Sequence, residues 1–179
     1  AHRRDCRRLE RGAKAAGVFA DIGKSAESIN LLIKQKQSGE AVRLPHNAVD
    51  LEMNYFDERC YQKEFAYQYV LAWRPEFKGQ EVALVFDGAM ANSTVWINGH
   101  KVAHHADGYT PFEARLTGWL CEGDNLVSVR IDGSENPEIP PFGGQIDYLT
   151  YAGLYRDVWL KVTDPIAIRN IKVETDNVL

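Results

Sequence analysis

Long apolar runs are missing from this sequence. No stretch approaches the ~20 residues that a membrane-spanning helix needs, so no membrane partner is expected. Cysteine is scarce: Cys6, Cys60 and Cys121 are scattered and form no CxxC pair. That excludes a disulfide framework and points to a reduced, cytoplasmic compartment. A basic surplus is also lacking. The net charge of -4 argues against nucleic acid as a partner, because phosphate binding requires a positive footprint. There is no GxGxxG, no phosphate loop and no GxSxG elbow, so no cofactor is expected and no nucleophile stands out.

What is present suits a globular chain. Its 179 residues, 45% hydrophobic and 26% charged, are enough for one ordinary domain with extensions. The opening "HRRDCRRLERGAK" carries six Lys/Arg against two acids from Arg3 to Lys14. A solvated lead-in accounts for it better than a nucleic-acid or membrane arm, and it lacks the apolar centre of a secretory signal. Within this N-terminal segment, residues 1–40, Ser25 and Glu27–Ser28 start and Ser38–Gly39 stop a short helix expected over Ser25–Gln35.

From Ala41 the texture changes to short alternating runs divided by turns about every ten residues. Tyr61, Lys63 and Phe65 form one run, and Val82, Leu84 and Phe86 another. Val95 and Ile97 lead into Asn98–Gly99, a pair that accepts the positive φ angles of a type I′ hairpin turn. Phe112–Leu116, Val127–Ile131 and Val158–Val162 complete the series. Six such runs without a helical period between them predict an all-β, antiparallel two-sheet jelly-roll sandwich over residues 41–163. The connection from Asp132 to Gly153 holds three prolines and, before Gly153 itself, three glycines, and should lie at one rim, as long functional loops do. After Pro165, the run Ile166, Ile168, Ile171, Val173 makes residues 164–179 the start of a following domain or a terminal edge strand.

Candidate chemistry is thin. His104–His105 with Asp107 could ligate a metal, but adjacent residues of a strand point to opposite faces, and no second cluster has ligand spacing. No metal is therefore expected. Most acids of the long loop read as solvated. Asp147 differs, because it stands between Gln145 and Tyr148 in a stretch otherwise poor in charge. A carboxylate beside an aromatic ring suits a sugar, whose hydroxyls donate to the acid while its C–H face packs on the ring.

Several ordered motifs carry a resemblance. "VALVFDGAMANSTVWINGHKVAHHADGYTPFEARLT" (residues 82–117), "EGDNLVSVRID" (122–132), "YAGLYRDVWL" (151–160) and "LPHN" (44–47) are together similar to the N-terminal sugar-binding domain of family 2 glycoside hydrolases, the β-galactosidase, β-glucuronidase and β-mannosidase group. The resemblance implies a jelly roll packed against immunoglobulin-like and barrel domains of one polypeptide, with a loop reaching the active site. An aspartate six positions before the motif glycine contacts sugar in that family, and six before Gly153 stands Asp147. Tyr148 would then be an apolar wall or a packing residue at the domain boundary. Asn98, Gly99, Gly153, Arg156 and Asp157 match the structural motif; Gly153 would make the bend and Arg156–Asp157 would pin it by internal hydrogen bonds.

Two departures set limits. The family's acid/base motif ends Asn–Glu, a dipeptide this chain lacks, and a barrel of ~250 residues would not fit in it. The chain alone is thus not expected to be catalytic; the parent is expected to be a retaining glycosidase whose substrate is a carbohydrate. Ala13 also follows Gly12 where the family has tryptophan. The rivals are a stand-alone carbohydrate-binding module, with Trp96, Trp119, Trp159 and Tyr109 as its aromatic platform, and a purely structural interface domain. Oligomeric state, sugar and linkage are left open.

Overall fold

The computed structural model describes residues 5–8, 15–18, 34–36, 39–50, 54, 57–140, 142 and 150–176, with residues 5–8, 15–18 and 58 described for backbone alone. The strands are β1 (Asp5–Arg8), β2 (Ala15–Val18), β3 (Glu40–Val42), β4 (Glu64–Ala72), β5 (Glu81–Phe86), β6 (Asn92–Ile97), β7 (His100–Ala106), β8 (Phe112–Arg115), β9 (Asp124–Asp132) and β10 (Val158–Thr163). They form two antiparallel sheets, one in the order β1-β10-β5-β8 and the other β3-β2-β4-β9-β6-β7. The result is an all-β sandwich of jelly-roll type. Among the described residues no helix is long and apolar enough to cross a membrane.

The alternation visible in the sequence decides which face of each strand turns inward. Phe65, Tyr67 and Leu71 of β4, Val127, Val129 and Ile131 of β9, and Val95 and Ile97 of β6 pack from the six-stranded sheet. Val82, Leu84 and Phe86 of β5, Ala114 of β8, and Val158 and Leu160 of β10 meet them from the other sheet. Each large aliphatic or aromatic side chain so buried contributes about 1.5–3 kcal/mol of transfer free energy. At the β6–β7 turn, Asn98 (φ 50) and Gly99 (φ 86) take the left-handed angles that the Asn–Gly pair was expected to supply. Asn98 Nδ2 also donates to Asn125 Oδ1 at 2.8 Å, joining this turn to the start of β9.

Three features differ from the sequence pattern. β4 begins at Glu64, not at Tyr61, because Lys63 N–H closes a tight turn onto Tyr61 O at 2.9 Å. β4 then runs nine residues, and its first five are covered on both faces: Ala66 and Gln68, on the side away from the core, are 0% and 2% exposed. Gln68 Nε2 donates to Gln35 O at 2.9 Å, so the N-terminal segment lies over that face. That segment also supplies two strands, β1 pairing with β10 and β2 with β4. The helix expected over Ser25–Gln35 lies outside the described residues except for Lys34 and Gln35. After Thr163, residues 164–176 carry no strand, and Ile166 (93%) and Ile171 (75%) stand in solvent.

Candidate functional site

The connection from β9 to β10 leaves and rejoins the sandwich at the same rim, as its sequence suggested. At its departure Gly133 N–H donates to Lys63 O (2.8 Å), and further on Gly108 N–H donates to Pro140 O (3.2 Å). Asp147 and Tyr148, the residues expected to meet sugar, lie outside the described residues. The return, from Thr150 to Asp157, is described in full, and its geometry is dense.

Gly153 has φ +82, and a Cβ built on it would lie 2.1 Å from the Tyr67 hydroxyl. Only glycine combines that backbone angle with so close a neighbour. Three sets of hydrogen bonds hold the bend. Met90 N–H donates to Gly153 O at 3.0 Å, and Gly153 N–H to Met90 O at 3.4 Å. The "LPHN" segment forms a second rail: His46 N–H donates to Leu154 O and Ala48 N–H to Ala152 O, both 2.8 Å, while Ala152 N–H donates to Asn47 Oδ1 at 2.8 Å. Third, Leu154 N–H donates to the Tyr67 hydroxyl at 3.4 Å, and that hydroxyl lies 3.2 Å from His46 Nδ1. Burial pushes the Tyr67 phenol up to about 12 against the opposing pull of the Leu154 N–H, so it stays protonated and can donate. Burial likewise lowers the His46 pKa, against the nearby carboxylates of Glu40 and Asp50.

Arg156 is exposed and braces backbone at this rim. Its Nη1 donates to Tyr109 O (2.8 Å) and Asp87 O (3.4 Å), and its guanidinium lies 5.1 Å from the centre of the Tyr155 ring. Gly88 makes room for it, since a Cβ there would come within 2.9 Å of Arg156 Cδ. Asp157 contributes its carbonyl, which accepts from Asp87 N–H at 3.0 Å. Tyr155 donates its hydroxyl to Gly108 O at 2.7 Å and stacks on the exposed Tyr151 ring, centroids 4.9 Å apart.

The two histidines weighed as metal ligands diverge. His104 Nδ1 lies 3.1 Å from Ser93 O, whereas His105 Nε2 lies 3.0 Å from Thr110 Oγ1 and its ring stacks on Phe112. Asp107 caps the following turn, accepting from Tyr109 N–H and Thr110 Oγ1–H, both 2.8 Å. Burial alone would raise its pKa, but those bonds and His105 outweigh it and hold the carboxyl below its ordinary value.

The four aromatics of the binding-module reading make no flat row. Trp96 is 9% exposed, and Trp159 donates its indole N–H to Asp87 Oδ2 at 2.6 Å. Trp119 is the most open of the tryptophans so described, and it stacks on His100 by the β6–β7 turn, at the end of the sandwich opposite the loop. Sequence reasoning missed the parts played by Tyr67, His46 and Asn47. "LPHN" was visible as a motif, but only folding shows that it pairs with residues 152–154.

Comparison with known proteins agrees with this architecture. The family model described as "Glycosyl hydrolases family 2, sugar binding domain" matches residues 41–165. A β-galactosidase of Rhizobium meliloti is 61% identical over 140 residues, covering 74% of this chain and 18% of that protein. Another β-galactosidase, from Thermoanaerobacterium thermosulfurigenes, is 43% identical over 162 residues, covering 89% and 22%. The chain therefore spans about a fifth of the length of these relatives. Among solved structures, an uncultured Clostridium sp. β-glucuronidase superposes with a TM-score of 0.76 at 20% identity, covering 92% of this chain and 30% of that one. Bacteroides uniformis β-glucuronidase gives 0.72 at 24%, covering 90% and 18%. At such identities the likeness speaks for the fold. With 125 matched residues, more than half of its length, the chain belongs to glycosyl hydrolases family 2 and carries that family's sugar binding domain.

Proposed function

We propose that residues 41–163 form a non-catalytic domain of a retaining glycosidase, and that the β9–β10 loop helps to position the terminal sugar in an active site completed by other parts of a longer polypeptide. Asp147 accepts a hydrogen bond from a sugar hydroxyl, and Tyr148 walls the site. Two carboxylates on a barrel domain act as nucleophile and acid/base. The contribution of this chain is orientation, which raises the rate by holding the sugar in a reactive pose. Residues 164–179 lead into the following domain, a reading that the exposure of Ile166, Ile168, Ile171 and Val173 supports. The names of the two β-galactosidase relatives favour a β-galactoside as substrate.

The observation that carries this reading is the triple fastening of the loop's return at Gly153, six residues after Asp147. These bonds hold the end of the loop in one place relative to the sheet, as a positioning role requires. Steady-state kinetics of Asp147→Asn in the full-length polypeptide test it. With 4-nitrophenyl β-D-galactopyranoside, kcat/KM should fall by about tenfold or more, as for a lost charge-assisted hydrogen bond. Unchanged kinetics would leave the loop without a role in substrate binding.

A further inference from the structure

The Tyr67 hydroxyl occupies the space that a side chain at position 153 would fill, 2.1 Å from the ideal Cβ. It is buried, 2% exposed, and sits on β4, a central strand hydrogen-bonded along its length to β9. Its hydroxyl takes the Leu154 N–H and faces His46 Nδ1, while the His46 backbone N–H returns to Leu154 O. A closed circuit therefore runs from the sheet through Tyr67 and His46 to the residue after the bend. Phenylalanine would fill the same volume and serve the core equally. Two of the oxygen's contacts lead to the loop's return, through Leu154 N–H, and to the segment beside it, through His46.

We infer that Tyr67 is a positioning residue for substrate binding: its hydroxyl, with His46, fixes the Gly153–Leu154 bend to the sheet and thereby sets the placement of the loop that bears Asp147. This rests on the role proposed above for Asp147. A neutral His46 with its proton on Nε2 accepts a hydrogen bond at Nδ1 from the phenol O–H, while the phenol oxygen accepts one from Leu154 N–H, so each group has the complement it requires. Deleting the phenol oxygen leaves the buried Leu154 N–H and the half-buried His46 Nδ1 without this partner, and movement of the bend relieves the loss.

The test is a double-mutant cycle in the full-length polypeptide, with Tyr67→Phe, Asp147→Asn and both together, assayed on 4-nitrophenyl β-D-galactopyranoside well below the melting temperature. Tyr67→Phe should lower kcat/KM about three- to tenfold, chiefly through KM, and should add nothing once Asp147 is asparagine. Ile97→Val, in the core near the opposite rim, is the control: it loosens packing but should leave KM unchanged. His46→Ala breaks the same circuit from the other side and serves if Tyr67→Phe does not fold; the same non-additivity is expected. Losses that multiply would overturn the inference, as would unchanged kinetics for Tyr67→Phe while Asp147→Asn is impaired. Unchanged kinetics for Asp147→Asn would instead remove the underlying reading, and the inference with it.

Discussion

The indole N–H of Trp159 donates to Oδ2 of Asp87 at 2.6 Å, binding the last strand of the sandwich to the end of β5. Asp87 belongs to the "FDG" run and Trp159 to the "YRDVWL" run, so two motifs far apart in sequence are joined by one charge-assisted bond. Beside it, Asp87 N–H donates to Asp157 O and Arg156 reaches Asp87 O. Trp159→Phe keeps the ring but loses the donor. It should destabilise the fold by about 1–2 kcal/mol, since both partners keep some solvent contact, and appear as a lower urea midpoint at unchanged slope.

Gly153→Ala meets two obstacles, the φ of +82 and the Tyr67 hydroxyl. The backbone angle alone costs a non-glycine residue about 1–2 kcal/mol. Steric overlap adds to this, so the single variant should be severely destabilised. In a Tyr67→Phe background the overlap with oxygen disappears while the angle remains, and part of the loss should be recovered. Thermal midpoints of the four proteins measure this; strict additivity would mean that the two positions do not oppose each other.

Glu64 is 4% exposed and held by two bonds from Arg130, at 2.7 Å and 2.6 Å. Removing the cation alone strands a buried carboxylate. Arg130→Met should therefore cost about 3–5 kcal/mol, whereas Arg130→Met combined with Glu64→Leu should recover most of it. Equilibrium unfolding of the single and double variants distinguishes this from a loss of packing, which the second substitution would not repair.

His46 gives the fold an acid-side sensitivity. Burial puts its folded pKa below the ordinary 6.5, so the unfolded chain takes up the proton first as pH falls. Its contribution is complete above about pH 6.5 and is lost progressively from there toward the depressed folded value. His46→Gln should flatten that part of the profile. Urea midpoints at about pH 7.5 and about pH 5.5 provide the comparison; an unaltered slope in the variant would assign the sensitivity to other groups.

The strands with one dry and one wet face were legible because alternation is the direct image of that burial. Val82–Phe86 and Val158–Val162 are examples, and Asn98–Gly99 named its turn. β4 was only half visible. Its outward Ala66 and Gln68 are covered by the N-terminal segment, so the polarity contrast that marks a half-buried strand is weakened. β1 and β2, four residues each, are held in place by β10 and β4, and nothing local in "DCRR" or "AAGV" announces them. The C-terminal isoleucines show the converse, a strand-like pattern with no partner strand among the described residues. At the rim, Gly153 was readable as a bend. The residues that grip it were not, because Tyr67 and His46 reach it across 86 and 107 positions of chain, 153 − 67 and 153 − 46.

The most direct measurement of the positioning role pairs Asp147→Ala with deoxy-sugar substrates in the full-length polypeptide. kcat/KM would be compared for the parent β-galactoside and for analogues lacking each ring hydroxyl in turn. At one hydroxyl, its removal should cost the wild type about tenfold or more but cost Asp147→Ala almost nothing, because the carboxylate that received that hydrogen bond is gone. Equal penalties in both proteins at every hydroxyl would show that Asp147 receives no bond from the sugar.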